Sequence, residues 1–323
     1  MLKKLTKSIK TKKIIEKKTK LFCVKDKSFT FSSDLNREIP GIFDEDFDVV
    51  ICEDIDDILN TNIKEDFIVF FTNLRTPDVF RVKEFSLLRK VNVFLTGILS
   101  YISSDPNSYW ALYEQTYWTK EMERGIIKVS DLIYVPSGFH KQLINDRISA
   151  KIDSKKVKVV NLPITLCNKK VSEIDKEDLV IFIDDDNGNY IYNHIKKYLC
   201  NDHTLRILLI NKKKESAKYY DLLLRAKVVV IQRVNSIFDE RIFEASHCDN
   251  VVMAPSTDFY DEFIQEKYTF AFEERPEDIG NRIQIFTMSH KVEKNNVINN
   301  IKYGTILNIL LECLGEYNQK LEV

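Results

Sequence analysis

Arg241 and Glu244 stand three residues apart in the segment Asn235-Ser236-Ile237-Phe238-Asp239-Glu240-Arg241-Ile242-Phe243-Glu244-Ala245, a spacing that puts both on one face of a helix. In that position a guanidinium can hold a diphosphate through two parallel hydrogen bonds while a carboxylate accepts two ribose hydroxyls. The same spacing suits an intrahelical ion pair on a solvated face, and spacing alone leaves both readings open. A second group is the triplet Asp184-Asp185-Asp186 closing the apolar run Leu179 to Ile183. Clustered carboxylates are hard oxygen ligands, which makes Asp184 and Asp186 candidate ligands for a divalent cation. Asp105 and Glu114 flank the aromatic cluster Trp110, Tyr113, Tyr117 and Trp118 and are candidate general bases. That cluster serves either as core or as a stacking surface for a sugar or base. His140 follows a Pro-Ser-Gly turn at an expected helix start and is a third catalytic candidate.

The elements that must carry these residues follow from periodicity. Apolar runs of β-branched and aromatic residues occur at Lys20 to Val24, Asp48 to Cys52, Phe67 to Thr72, Val91 to Leu95 and Leu132 to Val135. Several are apolar at consecutive positions, as strands covered on both faces require. Helical stretches separate them, as right-handed β-α-β crossovers need. A second series begins after the polar connector Thr165 to Glu177. Its strands are expected at Leu179 to Ile183, Leu205 to Ile210, Lys227 to Ile231, Val251 to Ala254 and Thr269 to Phe272. Its helices are expected at Tyr190 to Leu199, Ser216 to Arg225, Asp239 to His247, Phe259 to Gln265 and Pro276 to Met288. The segment with Arg241 and Glu244 therefore follows a strand and opens a helix at a strand's carboxyl end, where open α/β sheets bind ligands. Tyr303, Ile306, Leu310, Leu314 and Tyr317 form one helical stripe near the C-terminus, which must bury against something.

Composition bounds the remaining possibilities. A chain of 323 residues favours two domains. A net charge of -1 argues against a protein that coats nucleic acid over its whole surface. The six cysteines show no C-x-x-C pair, so neither a disulfide framework nor a structural zinc site is expected. No G-x-G-x-x-G or G-x-x-x-x-G-K-[ST] occurs, which disfavours fingerprint dehydrogenases and P-loop nucleotidases. The N-terminal residues lack the apolar stretch of a secretory signal; a soluble cytoplasmic protein is expected. The first twenty residues hold nine lysines and one glutamate, with Leu2, Leu5 and Ile9 at helical spacing. They form either a solvated tail or a basic amphipathic helix that would place the protein at the periphery of an anionic membrane.

The order of Arg-x-Phe-Glu-Ala helix, Asn250-Val251-Val252-Met253 strand, Asp258-Phe259-Tyr260-Asp261-Glu262-Phe263 and Pro276-Glu277-Asp278 resembles the donor domain of GT-B glycosyltransferases, the phage DNA β-glucosyltransferases among them. Upstream, Ser130-Asp131-Leu132-Ile133-Tyr134-Val135-Pro136-Ser137-Gly138-Phe139-His140-Lys141, followed by Lys156-Val157-Lys158-Val159-Val160-Asn161, is similar to the end of the acceptor domain in the same group. The resemblance implies two Rossmann-like α/β domains facing a cleft. It places the donor-binding pair on Arg241 and Glu244, with Asn235 and Ser236 beside them. Ser236 stands eight positions before Glu244, where the family carries an acid. The phosphate-binding Arg or Lys that the family carries after the first donor-domain strand has no counterpart in Asp184 to Tyr190. The Asp triplet itself resembles the D-x-D of metal-dependent GT-A glycosyltransferases, a reading that leaves the first 170 residues unexplained.

The chain thus divides into a basic tail (1–20), an acceptor-side domain (21–164), a donor domain (165–300) and a C-terminal helix (301–323) that crosses back. The expected activity is transfer of a sugar from a nucleoside-diphosphate sugar, a UDP-sugar first, to an acceptor hydroxyl. A divalent metal is not required, although Mn²⁺ or Mg²⁺ is compatible with the Asp triplet. Two alternatives stand beside it: a catalytically silent GT-B binding or scaffold subunit, and a phage-type enzyme acting on a DNA base, with DNA the less favoured partner.

Overall fold

Phe67–Phe71 is buried at all five positions, and its side chains alternate between two separate cores. Phe67, Val69 and Phe71 enter one, Ile68 and Phe70 the other. The period of two along a strand sends neighbours to opposite faces, so an unbroken apolar run requires cover on both. The computed structural model describes residues 18–26, 47–100, 102, 117–148, 154–160, 175–184, 189–199, 205–211, 216–233, 239–271, 273–288 and 306–321.

The first sheet consists of β1 (Thr19–Val24), β2 (Phe47–Cys52), β3 (Phe67–Phe71), β4 (Val93–Ile98), β5 (Leu132–Val135) and β6 (Val157–Val159), in the order β2-β1-β3-β4-β5-β6. All its pairings are parallel. Helices α1 (Asp56–Leu59), α2 (Asp78–Arg89), α3 (Tyr117–Val129) and α4 (Gly138–Leu143) connect them. The second sheet consists of β7 (Glu177–Ile183), β8 (Arg206–Ile210), β9 (Ala226–Ile231), β10 (Val251–Pro255) and β11 (Thr269–Phe270), in the order β11-β10-β9-β7-β8, again parallel throughout. Its helices are α5 (Tyr190–Leu199), α6 (Ser216–Arg225), α7 (Glu240–His247), α8 (Asp258–Phe263) and α9 (Pro276–Met288). The chain folds into two Rossmann-like α/β domains, and the first sheet accounts for the residues that a GT-A reading leaves unexplained.

The last helix, α10 (Ile306–Leu321), lies on the first sheet and not on the second. Ile309, Leu310, Cys313 and Tyr317 share a core with Leu21, Cys23, Ile68, Phe70 and Phe94. Tyr317 meets Phe94 edge to face at a centroid distance of 5.6 Å, and Lys158 at β6 pairs with Glu312 at 2.9 Å and with Glu316. One face of the first sheet is therefore completed by the far end of the chain.

The strands sit where the apolar runs place them, with ends that move by one to three residues, β11 closing at Phe270 and not Phe272. Val91 and Asn92 belong to a helix stop and not to β4. Lys90 takes the left-handed conformation at φ 56°, its amide donates to Leu87 O and the Val91 amide donates to Ser86 O. This is the C-terminal cap that closes a helix by turning the chain, and it delays β4 to Val93. The short edge strand β6 carries no apolar run of its own and is legible only from its pairing with β5. Gly97 in β4 is required by the sheet, since a Cβ there would lie 2.3 Å from Phe71 O. Among the described residues no helix is long and apolar enough to cross a membrane.

Candidate functional site

In the second sheet the chain leaves β7 toward β8 on one side and returns to β9 on the other. The crevice outside the carboxyl ends of β7 and β9 is thus a topological switch point, where α/β sheets bind ligands. A polar brace ties its walls together. Gln232, one residue beyond β9 and 3% exposed, donates from Nε2 to Ile183 O and to Asn189 Oδ1, both at 2.9 Å, and accepts the Tyr192 amide at 2.8 Å. Asp184 at the end of β7 accepts from Asn189 Nδ2 and, at 2.8 Å, from Asn211 Nδ2. Its carboxylate ties the ends of β7 and β8 to the start of α5. The N-terminus of α5, a ten-residue helix, carries the positive end of its dipole at this crevice.

Arg233 follows Gln232. Its Nε is buried and has no hydrogen-bond partner, and the guanidinium is near enough to Asp239 to favour the ionised carboxylate. A buried guanidinium donor without an acceptor costs free energy that a ligand oxygen would recover. The segment after β7, Asp184 to Tyr190, holds no Arg or Lys, whereas the segment after β9 holds Arg233. In the sequence it shows only as a cation two residues beyond the apolar run Val228 to Ile231.

Asp239 is the N-cap of α7 and is 3% exposed. Its carboxylate accepts from the Arg241 amide at 3.1 Å, from Arg241 Nε at 2.6 Å and from Nη2, and from the Tyr260 hydroxyl at 2.9 Å. Burial pushes the carboxyl upward, but the Arg241 guanidinium, Arg233 and the Tyr260 hydroxyl outweigh it and bring it down to about 2. Arg241 therefore forms a bidentate pair with the cap residue two positions before it. Glu244 is 1% exposed and accepts from the hydroxyls of Tyr219 at 3.1 Å and Tyr220 at 2.8 Å. Burial, and next the Glu244 charge, push both phenols up. The face shared by Arg241 and Glu244 is thus turned inward, away from the solvated ion pair that spacing alone allowed.

In the first domain, Ser137 caps α4, accepting from the His140 amide at 3.1 Å, and its Oγ lies 2.9 Å from His140 Nδ1. The ring is buried, and burial pushes its pKa down to about 3, so it is neutral at pH 7. Nε2 has no hydrogen-bond partner. The switch point of this sheet lies between β1 and β3. There Asn73 Nδ2 donates to Asp26 at 2.6 Å and Arg75 Nε donates to the buried Glu123 at 3.1 Å. A cavity of about 400 Å³ opens beside it, lined by Lys25, Asp26, Glu53, Asp54, Asn73 and Arg81 among others. A larger cavity of about 580 Å³ opens at the opposite, amino-terminal edge of β1, β2 and β3, and no candidate residue lines it. Asp105, Glu114, Asp186, Asn235 and Ser236 lie outside the described residues, as does the stretch 1–17. Among the described residues no group of three or more His, Cys, Asp or Glu is arranged to hold a metal ion.

No protein-family model and no curated protein matches the chain. Solved structures do match. A TarM mutant from S. aureus, in complex with fondaparinux, alpha-GlcNAc-glycerol and UDP, superposes with a TM-score of 0.53 at 14% identity, covering 76% of this chain and 55% of that one. The lipopolysaccharide outer core galactosyltransferase WaaB superposes with a TM-score of 0.53 at 8% identity, over 91% of this chain and 99% of its own. The fold is GT-B. A UDP-N-acetylglucosamine 2-epimerase superposes with a TM-score of 0.58 at 12% identity over 94% and 98% of the two chains. The chain spans little more than half of TarM, so the GT-B likeness to that protein concerns the architecture and not its full length. The two domains of this GT-B chain are in direct contact. The two meet where Glu262 of α8 accepts the amides of Gly138 and Phe139 at 2.8 and 3.0 Å.

Proposed function

We propose that this protein is a glycosyltransferase that moves a sugar from a nucleoside-diphosphate sugar, a UDP-sugar first, to an acceptor hydroxyl. The second domain (165–300) holds the nucleotide and the first (21–164) holds the acceptor. The observation that carries this reading is Arg233: a guanidinium with a buried, unpartnered Nε at the carboxyl end of β9, beside the switch point of a GT-B donor domain. The bond from the sugar's anomeric carbon to the diphosphate breaks as the acceptor oxygen bonds to that carbon, and the acceptor's proton passes to the departing diphosphate or to water. The negative charge then grows on the leaving diphosphate. A pre-placed cation and the N-terminus of α5 stabilise that charge without reorganising, and the first domain contributes by orienting the acceptor hydroxyl. Arg241, held by Asp239, fixes the start of α7 beside them, and Glu244 braces α7 against Tyr219 and Tyr220 of α6. Asn235 and Ser236 belong to the connection between β9 and α7 and complete the donor side in this reading. UDP in the TarM complex supports a uridine nucleotide as the first probe.

A second reading, a subunit that binds nucleotide sugar without turning it over, is favoured by Ser236, which stands where the resemblance expects an acid. Residues 1–20, with nine lysines, are the segment that would meet an anionic membrane surface, at about 1 kcal/mol per basic residue near it.

Thermal unfolding with a panel of nucleoside diphosphates and their sugars, with and without Mn²⁺, tests donor binding. A ligand at 100 times its dissociation constant stabilises the folded protein by about 2.7 kcal/mol, so at least one uridine nucleotide is expected to raise the midpoint. A flat response across the whole panel contradicts the donor assignment.

A further inference from the structure

Glu262 sits on α8 of the second domain, yet its two carboxylate oxygens accept the first two amides of α4 in the first: Gly138 N at 2.8 Å and Phe139 N at 3.0 Å. The next amide of α4, that of His140, is taken by Ser137 of its own domain. The N-terminus of α4 is therefore satisfied jointly by both domains, and the two bonds from Glu262 are charge-assisted. The contact is close. A Cβ at Gly138 would lie 3.3 Å from Glu262 Oε1, so glycine lets the carboxylate approach. Phe139 packs against the cores of both domains and gives the junction an apolar pivot beside the polar clasp.

On its own side α8 is fastened to the start of α7. The Tyr260 hydroxyl donates to Asp239, the cap that also holds Arg241. Phe263 meets Phe243 of α7 edge to face at 5.4 Å and Phe259 at 5.0 Å. One short helix thus touches the donor-side ion pair through Tyr260 and the opposite domain through Glu262.

We propose that Glu262 is an interdomain latch, a positioning residue that fixes the angle between the two domains and, through the Tyr260–Asp239 contact on the same helix, links that angle to occupancy of the nucleotide site. The second half of this inference rests on the donor-site reading above; the first half does not. The start of α7 follows β9 at the donor-side crevice, so a nucleotide that shifts α7 moves α8 with it through the Tyr260–Asp239 bond and the Phe243–Phe263 contact. In turn α8 bears on α4 through Glu262. Domain angle and nucleotide affinity then share one coupling free energy.

Three variants test it in the full chain. Glu262→Ala removes both acceptors, Glu262→Gln keeps one carbonyl oxygen without the charge, and Gly138→Ala crowds the carboxylate from the other domain. Small-angle scattering is expected to show a larger radius of gyration for Glu262→Ala than for the wild type, which should lie near the 20 Å or so of a compact chain of this length. Glu262→Gln and Gly138→Ala should fall between the two. By hydrogen exchange, the Gly138 and Phe139 amides should open at least tenfold faster in Glu262→Ala, and UDP should slow their exchange in the wild type but not in that variant. Unfolding midpoints and far-ultraviolet dichroism should change little, since the Glu262 bonds lie at the solvent-exposed junction. A scattering profile for Glu262→Ala identical to that of the wild type overturns the latch. UDP binding that leaves Gly138 and Phe139 exchange untouched overturns its link to the nucleotide. Failure of UDP to bind the wild type at all counts against the donor site instead, and the scattering comparison still decides the latch.

Discussion

Arg233→Ala is expected to weaken nucleoside-diphosphate binding about ten- to a hundredfold while leaving the unfolding midpoint nearly unchanged. Hydrogen bonds to a charged partner contribute roughly 1.5 to 3 kcal/mol, and each 1.4 kcal/mol or so is a factor of ten in affinity. The folded protein loses little, because Nε makes no hydrogen bond in the chain itself, so removing an unsatisfied buried donor offsets the loss of the favourable charge that Arg233 presents to Asp239. Lysine at this position restores charge but not the planar fork, so Arg233→Lys should recover part of the affinity. Calorimetric titration of UDP into the three proteins reads this directly. Equal affinities would move the phosphate site away from β9.

Asp239→Ala carries the largest expected cost in stability, about 3 to 5 kcal/mol. That is the range for breaking a buried ion pair by removing one partner, and the loss of the α7 N-cap acts in the same direction. Arg241 would remain with a side chain only 12% exposed and no carboxylate to hold, and the Tyr260 hydroxyl would lose its acceptor. The pH dependence has a defined sign. The folded-state carboxyl lies at about 2 against an ordinary 3.8. Its stabilisation is therefore complete above pH 3.8 and is lost as pH falls from there toward 2. Asp239→Asn keeps a cap and an acceptor but has no such acid limb. Denaturant unfolding of the wild type and Asp239→Asn at pH 7 and near pH 2.5 should show the gap between them narrowing in acid. A gap that stays constant would mean that the carboxylate is not held by Arg241.

Much of this architecture can be read from residue order. Runs such as Phe67 to Phe71 and Val228 to Ile231 are apolar without interruption because both faces of a parallel sheet are covered, and the Arg-x-Phe-Glu-Ala segment falls at a strand's carboxyl end as its neighbours dictate. What escapes is whatever depends on partners distant in sequence. The 3.6-residue period places Arg241 and Glu244 on one face but does not say which way that face points. Tyr219 and Tyr220, 25 and 24 residues before Glu244, turn it inward. Asp239 shows only as an acid near a helix start, and its pairing with Tyr260 requires β10 and α8 to be in place. Arg233 carries no signal of its own in the sequence, because only the β9-β7-β8 strand order makes the end of β9 an equal neighbour of the crevice. Edge strand β6 lacks a pattern because one side of it is solvent and its register is set by β5.

Turnover of a nucleotide sugar at the second switch point is read out by release of free nucleoside diphosphate. Wild-type protein incubated with the UDP-sugar that stabilises it should liberate UDP, slowly by transfer to water and faster once a suitable acceptor hydroxyl is supplied. Arg233→Ala should suppress both rates. Stabilisation by the nucleotide sugar with no release of UDP from wild-type protein, across acceptors and with Mn²⁺ present, would contradict the account and leave a nucleotide-sugar-binding protein without transferase activity.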